Sequence, residues 1–220
     1  MLTTLFWISL VLILYIYFGY PLTLWVLSIV THKTPRKRPH YPTVSILIPA
    51  YNEAGDIKNT IENKLHLNYP KEKLSICVIS DGSTDQTEDI VKSFQSQGVS
   101  LLIQPTRQGK TEALNSGVAN TTGDIIVFSD ANSIYEKQAL ERLVRNFSDP
   151  AVGYVTGKMV YSNPDGSIVG DGCSSYMKYE NWMRDIESNL GSIVGVDGGI
   201  DAMRKSLYEP LRADQLPDFV

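Results

Sequence analysis

The sequence predicts an α/β fold with an open, mostly parallel sheet flanked by helices and preceded by one N-terminal transmembrane helix. Two observations lead to this expectation. Residues 2–30 contain no charged side chain, and from residue 43 onward short apolar, β-branched runs alternate four times with segments of helical periodicity. Continuous apolar runs of this length are typical of strands buried on both faces of a parallel sheet. Their alternation with helices predicts right-handed crossovers.

The N-terminal run is long enough to cross a membrane. As a helix, residues 2–30 would span about 43 Å, more than the ~30 Å of a bilayer's hydrocarbon core. A secretory signal peptide fits poorly, because no cation precedes the run and no small-residue cleavage site follows it. Pro21 is expected to kink the helix, which membrane helices tolerate.

Residues 31–42 form a basic juxtamembrane linker with four cations: Lys33, Arg36, Lys37 and Arg38. Cations beside one membrane end predict that the chain beyond them lies in the cytoplasm, under the plasma membrane. The whole chain has 20 Lys and Arg residues. When these four are set aside, the other 16 compare with 24 Asp and Glu residues. This acidic balance argues against nucleic acid as a partner.

The strands are predicted from the apolar runs 44–50, 74–80, 99–103 and 125–129. Helical stripes lie between and after them, for example Ile57, Ile61 and Leu65 at i, i+4 and i+8. Residues 171–190 are also predicted to form a helix. In such a sheet, ligands bind at the carboxyl ends of the strands.

Polar residues follow each predicted strand where a ligand would bind. They are Asn52, Glu53, Asp81, Arg107, Lys110, Asp130 and Asn132. A nucleoside diphosphate held through a divalent cation needs oxygen ligands and a cation that faces phosphate. Asp130 and Asn132 can supply the oxygens, and Lys110 and Arg107 the positive charge. Asp81 can accept a hydrogen bond from a base or ribose, whereas Ser83 and Asp85 are expected to cap the next helix or form a turn.

Other nucleotide and hydrolase motifs are absent from the sequence. The GKT at 109–111 lacks the first P-loop glycine, because Gln104 occupies its place. No G-x-G-x-x-G follows a strand, and GCSSY around Cys173 departs from G-x-S-x-G. The histidines lie outside the polar loops, so a histidine-based site is not expected.

At these loops the sequence resembles family 2 of the glycosyltransferases, the inverting GT-A type. The matching segments are VSILIPAYNE, VISDGSTD, GKTEALN, FSDAN and VGVDGGIDAMRKSLYEPL. The last of them is similar to the acceptor-side segment of membrane-bound members that make polysaccharides or glycolipids. The resemblance implies transfer of a sugar from a UDP-sugar to a polysaccharide or lipid acceptor, with inversion and with Mg²⁺ or Mn²⁺.

The resemblance also implies roles for individual residues. Tyr51, Glu53 and Asp81 would contact uracil and ribose, and Lys110 would lie near the nucleotide. Asp130 matches the first acid of the family's D-x-D metal motif, and Asn132 replaces the second acid.

The catalytic base implied by the resemblance lies in the final segment, ADQLPDFV. Asp218 fits the base position, although Pro217 stands where the family usually has an acid, and Asp214 is the reserve. Asp197, Gly198 and Gly199 are expected to approach the acceptor or the donor sugar through their backbone.

The expected domain organisation places the transferase region at residues 43–220. Its nucleotide-sugar-binding part would be 43–150 and its acceptor-side part 151–220. Because similar synthases continue beyond the base, the acceptor-side part is expected to be incomplete at Val220.

Two alternatives stay open at this point. The first is a degenerate or truncated, membrane-tethered nucleotide-sugar-binding protein without turnover, which Asn132 and the early end favour. The second is a nucleotidyltransferase, which would need a glycine-rich basic loop after the first strand, where PAYNEAG stands.

Overall fold

A computed structural model describes residues 1–31, 33–158, 171–196, 199–212 and 215. The chain divides into two compact units, one of residues 1–34 and 160–195 and the other of residues 35–159 and 196–220. The second unit contains the sheet. Its six strands are β1 (Val44–Ala50), β2 (Leu74–Asp81), β3 (Val99–Gln104), β4 (Ile125–Phe128), β5 (Tyr154–Thr156) and β6 (Asp201–Arg204).

The strand order is β3-β2-β1-β4-β6-β5. The first four strands are parallel, as predicted, and the sheet is mixed because β6 runs antiparallel to both β4 and β5. The parallel strands end at the same edge of the sheet. Because β6 is antiparallel to β4, it begins at that edge, with Asp201 opposite Phe128.

The helices along the chain are α1 (Leu2–Leu14), α2 (Tyr20–Val30), α3 (Ile57–Leu65), α4 (Thr87–Lys92), α5 (Lys110–Ala119), α6 (Ala139–Val144) and α7 (Asp171–Leu190). Alternate strand residues point to opposite faces of the sheet. Ile46 and Ile48 therefore pack on one face, whereas Leu47 packs on the other.

The two faces are covered by different helices. Buried residues of α3, α4 and α6 share a hydrophobic cluster with the first face. The second face packs on α5 through Ala113, Leu114 and Val118. Full burial of each Ile, Leu or Val side chain stabilises the fold by about 1.5–3 kcal/mol. This double covering explains why the strands are continuously apolar, and it leaves the strand ends as the place for polar residues.

The N-terminal unit contains a helix that runs from Leu2 to Val30 and includes an 18-residue stretch with a mean hydropathy of 2.0. It is long and apolar enough to cross a membrane. A π-helical segment, Tyr15–Gly19, interrupts the α-helical pattern just before Pro21, because proline has no N–H to donate. Within the same unit the Tyr20 hydroxyl donates to Glu187 Oε1 of α7 at 3.0 Å, and Lys33 N donates to Asn189 O at 3.0 Å.

Candidate functional site

The candidate site lies at the edge of the sheet where the parallel strands end. The loops after three of these strands carry predicted site residues: the loop after β1 with Tyr51, the loop after β3 with Arg107, and the loop after β4 with Asp130. The N-terminus of α5, which begins at Lys110, lies at the same edge.

Asp81 at the end of β2 holds the loop after β3. Its side chain is buried, and its two carboxylate oxygens accept hydrogen bonds from Gln108 N at 2.6 Å and Gly109 N at 2.8 Å. Gly109 has a φ of +96°, which disfavours residues with a side chain. The turn at Gly82 packs closely on the same loop, because a Cβ there would lie 2.7 Å from Arg107 N. The carboxylate of Asp81 therefore fixes the backbone directly before Lys110.

Lys110 and Asp130 form an ion pair across the site. Lys110 Nζ lies 3.0 Å from Asp130 Oδ1, and the two side chains are 39% and 34% exposed. A pair this exposed contributes only about 0–1 kcal/mol to stability. The arrangement therefore matters less for stability than for chemistry, because it presents a cation and a carboxylate side by side to solvent.

Tyr51 and Arg107 stack on each other at the rim of the site. The guanidinium carbon of Arg107 lies 4.0 Å from the centroid of the Tyr51 ring, and both residues are exposed. An exposed cation–π contact is worth about 0.5–1 kcal/mol. It is thus weak enough for a planar ligand group to replace.

The loops after β1 and β2 are joined by hydrogen bonds. Asn52, which has a φ of +56°, accepts from Thr84 N through Oδ1 at 2.8 Å. Asp85 accepts from Ala54 N at 3.1 Å and from Thr87 N, the first residue of α4, at 3.0 Å. Asp85 therefore forms a turn directly before this helix, one of the two roles expected of it, and it also joins the two loops.

Glu53 is surrounded by other acidic residues of the site. Its backbone N–H donates to Thr87 Oγ1 at 2.8 Å. Burial raises the pKa of its carboxyl, and the carboxylates of Asp56, Asp130 and Asp85 raise it further. These neighbouring carboxylates therefore favour the protonated form of the Glu53 carboxyl.

The residues of the β4 loop fit a divalent cation that arrives with a diphosphate. Asn132 is exposed two residues after Asp130. In the described part of the chain, no group of three or more His, Cys, Asp or Glu side chains could hold a metal on its own. Magnesium bound with nucleotides usually takes one or two carboxylates and completes its shell with phosphate oxygens and water. The carboxylate of Asp130 and the amide oxygen of Asn132 suit such shared coordination.

A cavity of about 210 Å³ opens beside the ion pair. Its polar wall includes Lys110, Ser129, Asp130 and Asp201, and most of the remaining wall is apolar or aromatic. Asp201 is 3% exposed. Sequence reasoning missed this residue, although it stands just after the GVDGG segment and before an apolar residue.

The structure places all seven residues predicted for the nucleotide and metal sites at this edge of the sheet. Asp81 ends β2, Lys110 begins α5, and the other five lie on the loops: Tyr51, Glu53, Arg107, Asp130 and Asn132. Gly199 is buried just before β6. Asp197, Gly198, Asp214 and Asp218 lie outside the described residues.

Comparison with known proteins gives a family match over most of the chain. The family model described as "Glycosyl transferase family 2" matches residues 45–209. The probable glycosyltransferase YdaM of Bacillus subtilis (strain 168) is 41% identical over 123 residues, which is 53% of this chain and 29% of that protein. The poly-beta-1,6-N-acetyl-D-glucosamine synthase of Staphylococcus aureus (strain MSSA476) is 27% identical over 165 residues, 74% of this chain and 40% of that protein. The chain thus spans less than half the length of these relatives.

A solved structure is similar over almost the whole chain. It is the mannosyltransferase PcManGT from Pyrobaculum calidifontis in complex with GDP-Man and Mn²⁺. The TM-score is 0.76 at 25% identity, and the match covers 95% of this chain and 60% of that one. This similarity confirms the predicted GT-A-type fold. Together with the family match over residues 45–209, it shows that the chain belongs to glycosyl transferase family 2.

Proposed function

We propose that this chain binds a nucleotide-sugar, most simply a UDP-sugar, and transfers the sugar with inversion to a polysaccharide or lipid acceptor. The observation that carries the proposal is the Lys110–Asp130 ion pair, 3.0 Å long and open to solvent, at the strand ends beside a cavity. A diphosphate needs a cation that faces it and a carboxylate that can share a divalent metal with it, and this pair offers both.

In the proposed complex, Tyr51, Glu53 and Asp81 contact the uracil and ribose, as the family resemblance implies. A planar base can replace the guanidinium of Arg107 on the exposed Tyr51 ring, which leaves Arg107 available to the phosphates. PcManGT was solved with GDP-Man, so GDP is the nucleotide with which UDP must be compared.

Asp130 and Asn132 would hold Mg²⁺ or Mn²⁺, which would offset the charge that develops on the leaving diphosphate. Lys110 contributes to the same offset as a fixed positive charge. Preorganised charges of this kind are usually the largest contribution to catalysis. The sugar itself would occupy the cavity, where Asp201 can accept hydrogen bonds from its hydroxyl groups and the apolar walls can contact its ring faces.

The transfer step is a single displacement. A hydroxyl oxygen of the acceptor attacks the anomeric carbon on the face opposite the diphosphate, whose C–O bond breaks, and a carboxylate takes the hydroxyl proton. We assign this base to Asp218, with Asp214 as the reserve, on the family resemblance alone. A general base of this kind accelerates the step by about 10² to 10⁴.

We also propose that the Leu2–Val30 helix anchors the chain in the plasma membrane and that the transferase region, residues 43–220, lies in the cytoplasm. The support is the apolar helix itself and the basic residues that follow it. The further division into a nucleotide-sugar-binding part, 43–150, and an acceptor-side part, 151–220, stays a prediction.

A second candidate function is nucleotide-sugar binding without turnover. It is favoured by Asn132, a neutral residue where the family motif has an acid. Binding assays alone cannot separate it from the first candidate, so turnover must be measured as well.

Titration of the full chain in detergent with UDP and GDP, with and without Mn²⁺, tests the proposal. We expect metal-dependent binding that Asp130→Asn weakens and that Asp89→Asn, on the exposed face of α4, leaves unchanged. Binding by Asp130→Asn equal to that of the unmodified chain would refute the metal role of Asp130. Release of UDP from a UDP-sugar, abolished by Asp218→Asn with nucleotide binding retained, would favour the transferase over the binding protein.

A further inference from the structure

Lys64 on α3 is a buried lysine for which the proposed reaction has no direct use. Its side chain is 0% exposed, and Nζ lies 3.4 Å from the centroid of the Tyr135 ring. The same nitrogen donates a hydrogen bond to Ser133 O. Because full burial of a lysine is rare and costly, an apolar residue would be expected here if packing were all that this position required.

Two other side chains of α3 bind the loop between β4 and α6, which contains Ser133 and Tyr135. Thr60 Oγ1 donates to Ala131 O at 2.6 Å, and Asn63 Nδ2 donates to Tyr135 O at 2.9 Å. Asn63 also accepts from Tyr135 N at 2.8 Å. Positions 60, 63 and 64 lie on one face of a helix. This face therefore holds three alternate carbonyl groups, those of residues 131, 133 and 135.

The loop held in this way is the one that carries Asp130 and Asn132. Asp130 directly precedes Ala131, and Asn132 lies between Ala131 and Ser133, so both site residues adjoin carbonyl groups that α3 binds. The Tyr135 hydroxyl donates to Phe128 O at 3.3 Å and thereby joins the far end of the loop to β4. The carboxylate of Asp130 accepts a hydrogen bond from Lys110 of α5. Helix α5 packs on the opposite face of the sheet from α3.

A loop held at every second carbonyl loses little further freedom when a ligand binds. Ordering a flexible loop on binding lowers affinity, so preorganisation raises it. We propose that Lys64, together with Thr60 and Asn63, positions the Asp130–Asn132 loop for a divalent cation and the diphosphate bound to it. This inference rests on the proposed function. None of the three side chains needs to touch the ligand.

The test compares Lys64→Met with Lys205→Met. Methionine keeps the length of the side chain but removes the donor. Lys205 is a matched control because its Nζ also donates to a loop carbonyl in the same unit, Thr121 O, at the start of β4 rather than at its end. The measurements are the affinity for Mn²⁺ at saturating UDP, by electron paramagnetic resonance, and the thermal midpoint of unfolding.

We expect Lys64→Met to weaken Mn²⁺ binding about tenfold, the effect of losing one well-formed hydrogen bond, and Lys205→Met to leave it unchanged. The thermal midpoints show whether either variant also differs in stability from the unmodified chain. Should Lys64→Met fail to fold, Thr60→Val removes the hydroxyl that binds Ala131 O. We expect Thr60→Val to weaken Mn²⁺ binding as well and Thr60→Ser, which retains the hydroxyl, to preserve it.

The outcomes separate the inference from the proposed function. If the unmodified chain binds no Mn²⁺ with UDP or GDP, the proposed function fails and the inference falls with it. If the unmodified chain binds the metal and both Lys64→Met and Thr60→Val bind it equally well, the inference alone is overturned and α3 has only a structural role.

Discussion

Asp81 and Lys110 are linked through one short stretch of backbone: Asp81 accepts hydrogen bonds from Gln108 N and Gly109 N, and the next residue, Lys110, reaches Asp130 Oδ1 at 3.0 Å. The ends of β2 and β4 are thus connected through the N-terminus of α5. A change in any of these three side chains is therefore expected to affect the position of the other two.

Replacement of Lys110 by methionine should weaken nucleoside diphosphate binding. We expect a loss of about 10- to 100-fold, since a hydrogen bond to a charged group is worth about 1.5–3 kcal/mol. The loss should shrink as salt is added, because part of the attraction is screened. Calorimetric titration with UDP at low and high ionic strength measures both effects. Lys92→Met, at an exposed position of α4, is the control, and an equal loss in that variant would contradict a specific role for Lys110.

Replacement of Asp81 by asparagine should destabilise the loop after β3. The amide has one acceptor oxygen where the carboxylate has two, so either Gln108 N or Gly109 N loses its partner. An unsatisfied buried group costs about 1–3 kcal/mol, which denaturant unfolding would detect. We expect UDP affinity to fall as well, because Lys110 follows this loop directly. Unchanged stability in this variant would mean that the two backbone hydrogen bonds contribute nothing.

The sequence predicts the sheet well because a strand buried on both faces has a continuous run of apolar residues. The four apolar runs became β1 to β4 with ends shifted by no more than one residue, and Ile57, Ile61 and Leu65 lie on α3 as predicted. The position of the polar loops could also be predicted, because the carboxyl ends of parallel strands lie at the same edge of the sheet. Asp81 was expected to face a ligand, and in the structure its two oxygens bind the loop before Lys110.

Lys64 and Asp201 were missed because their environments depend on distant parts of the chain. A lysine within a helix is normally exposed, and the carbonyl that Lys64 binds lies 69 residues further along. Asp201 reaches the cavity because β6 pairs antiparallel with β4, and residue spacing does not predict that pairing. Local patterns report burial and turns, whereas these two positions depend on which elements become neighbours.

The burial of Lys64 predicts a pH-dependent stability. Burial lowers the pKa of its amine to about 7, although the charge of Asp130 opposes the shift. In the unfolded chain the amine has a pKa near 10.4. Between these two values the unfolded state binds a proton that the folded state lacks, so stability rises with pH, by up to about 1.4 kcal/mol per pH unit. Below about pH 7 both states are protonated, and the full cost of burying the charge remains.

We therefore expect the free energy of unfolding to rise from pH 7 to pH 9 in the unmodified chain relative to Lys64→Met. Denaturant unfolding at pH 6, 7, 8 and 9 measures the difference. Lys58→Met, at an exposed position of the same helix, removes a lysine that keeps its hydration on folding, so its difference from the unmodified chain should stay constant. Parallel pH profiles for Lys64→Met and the unmodified chain would contradict the expectation.

A variant of Asp201 can distinguish binding of the donor sugar from binding of the nucleotide. If the cavity holds the donor sugar, Asp201→Asn removes the charge of a buried acceptor while keeping its shape. Hydrogen bonds to charged groups are worth about 1.5–3 kcal/mol, so we expect affinity for the UDP-sugar to fall about tenfold or more. Affinity for UDP should hardly change, because UDP leaves the cavity empty. Glu209→Gln, an exposed residue of the same cavity wall, should have a smaller effect, since water competes for its hydrogen bonds. An equal loss of UDP and UDP-sugar binding in Asp201→Asn would instead place this carboxylate with the diphosphate and its cation.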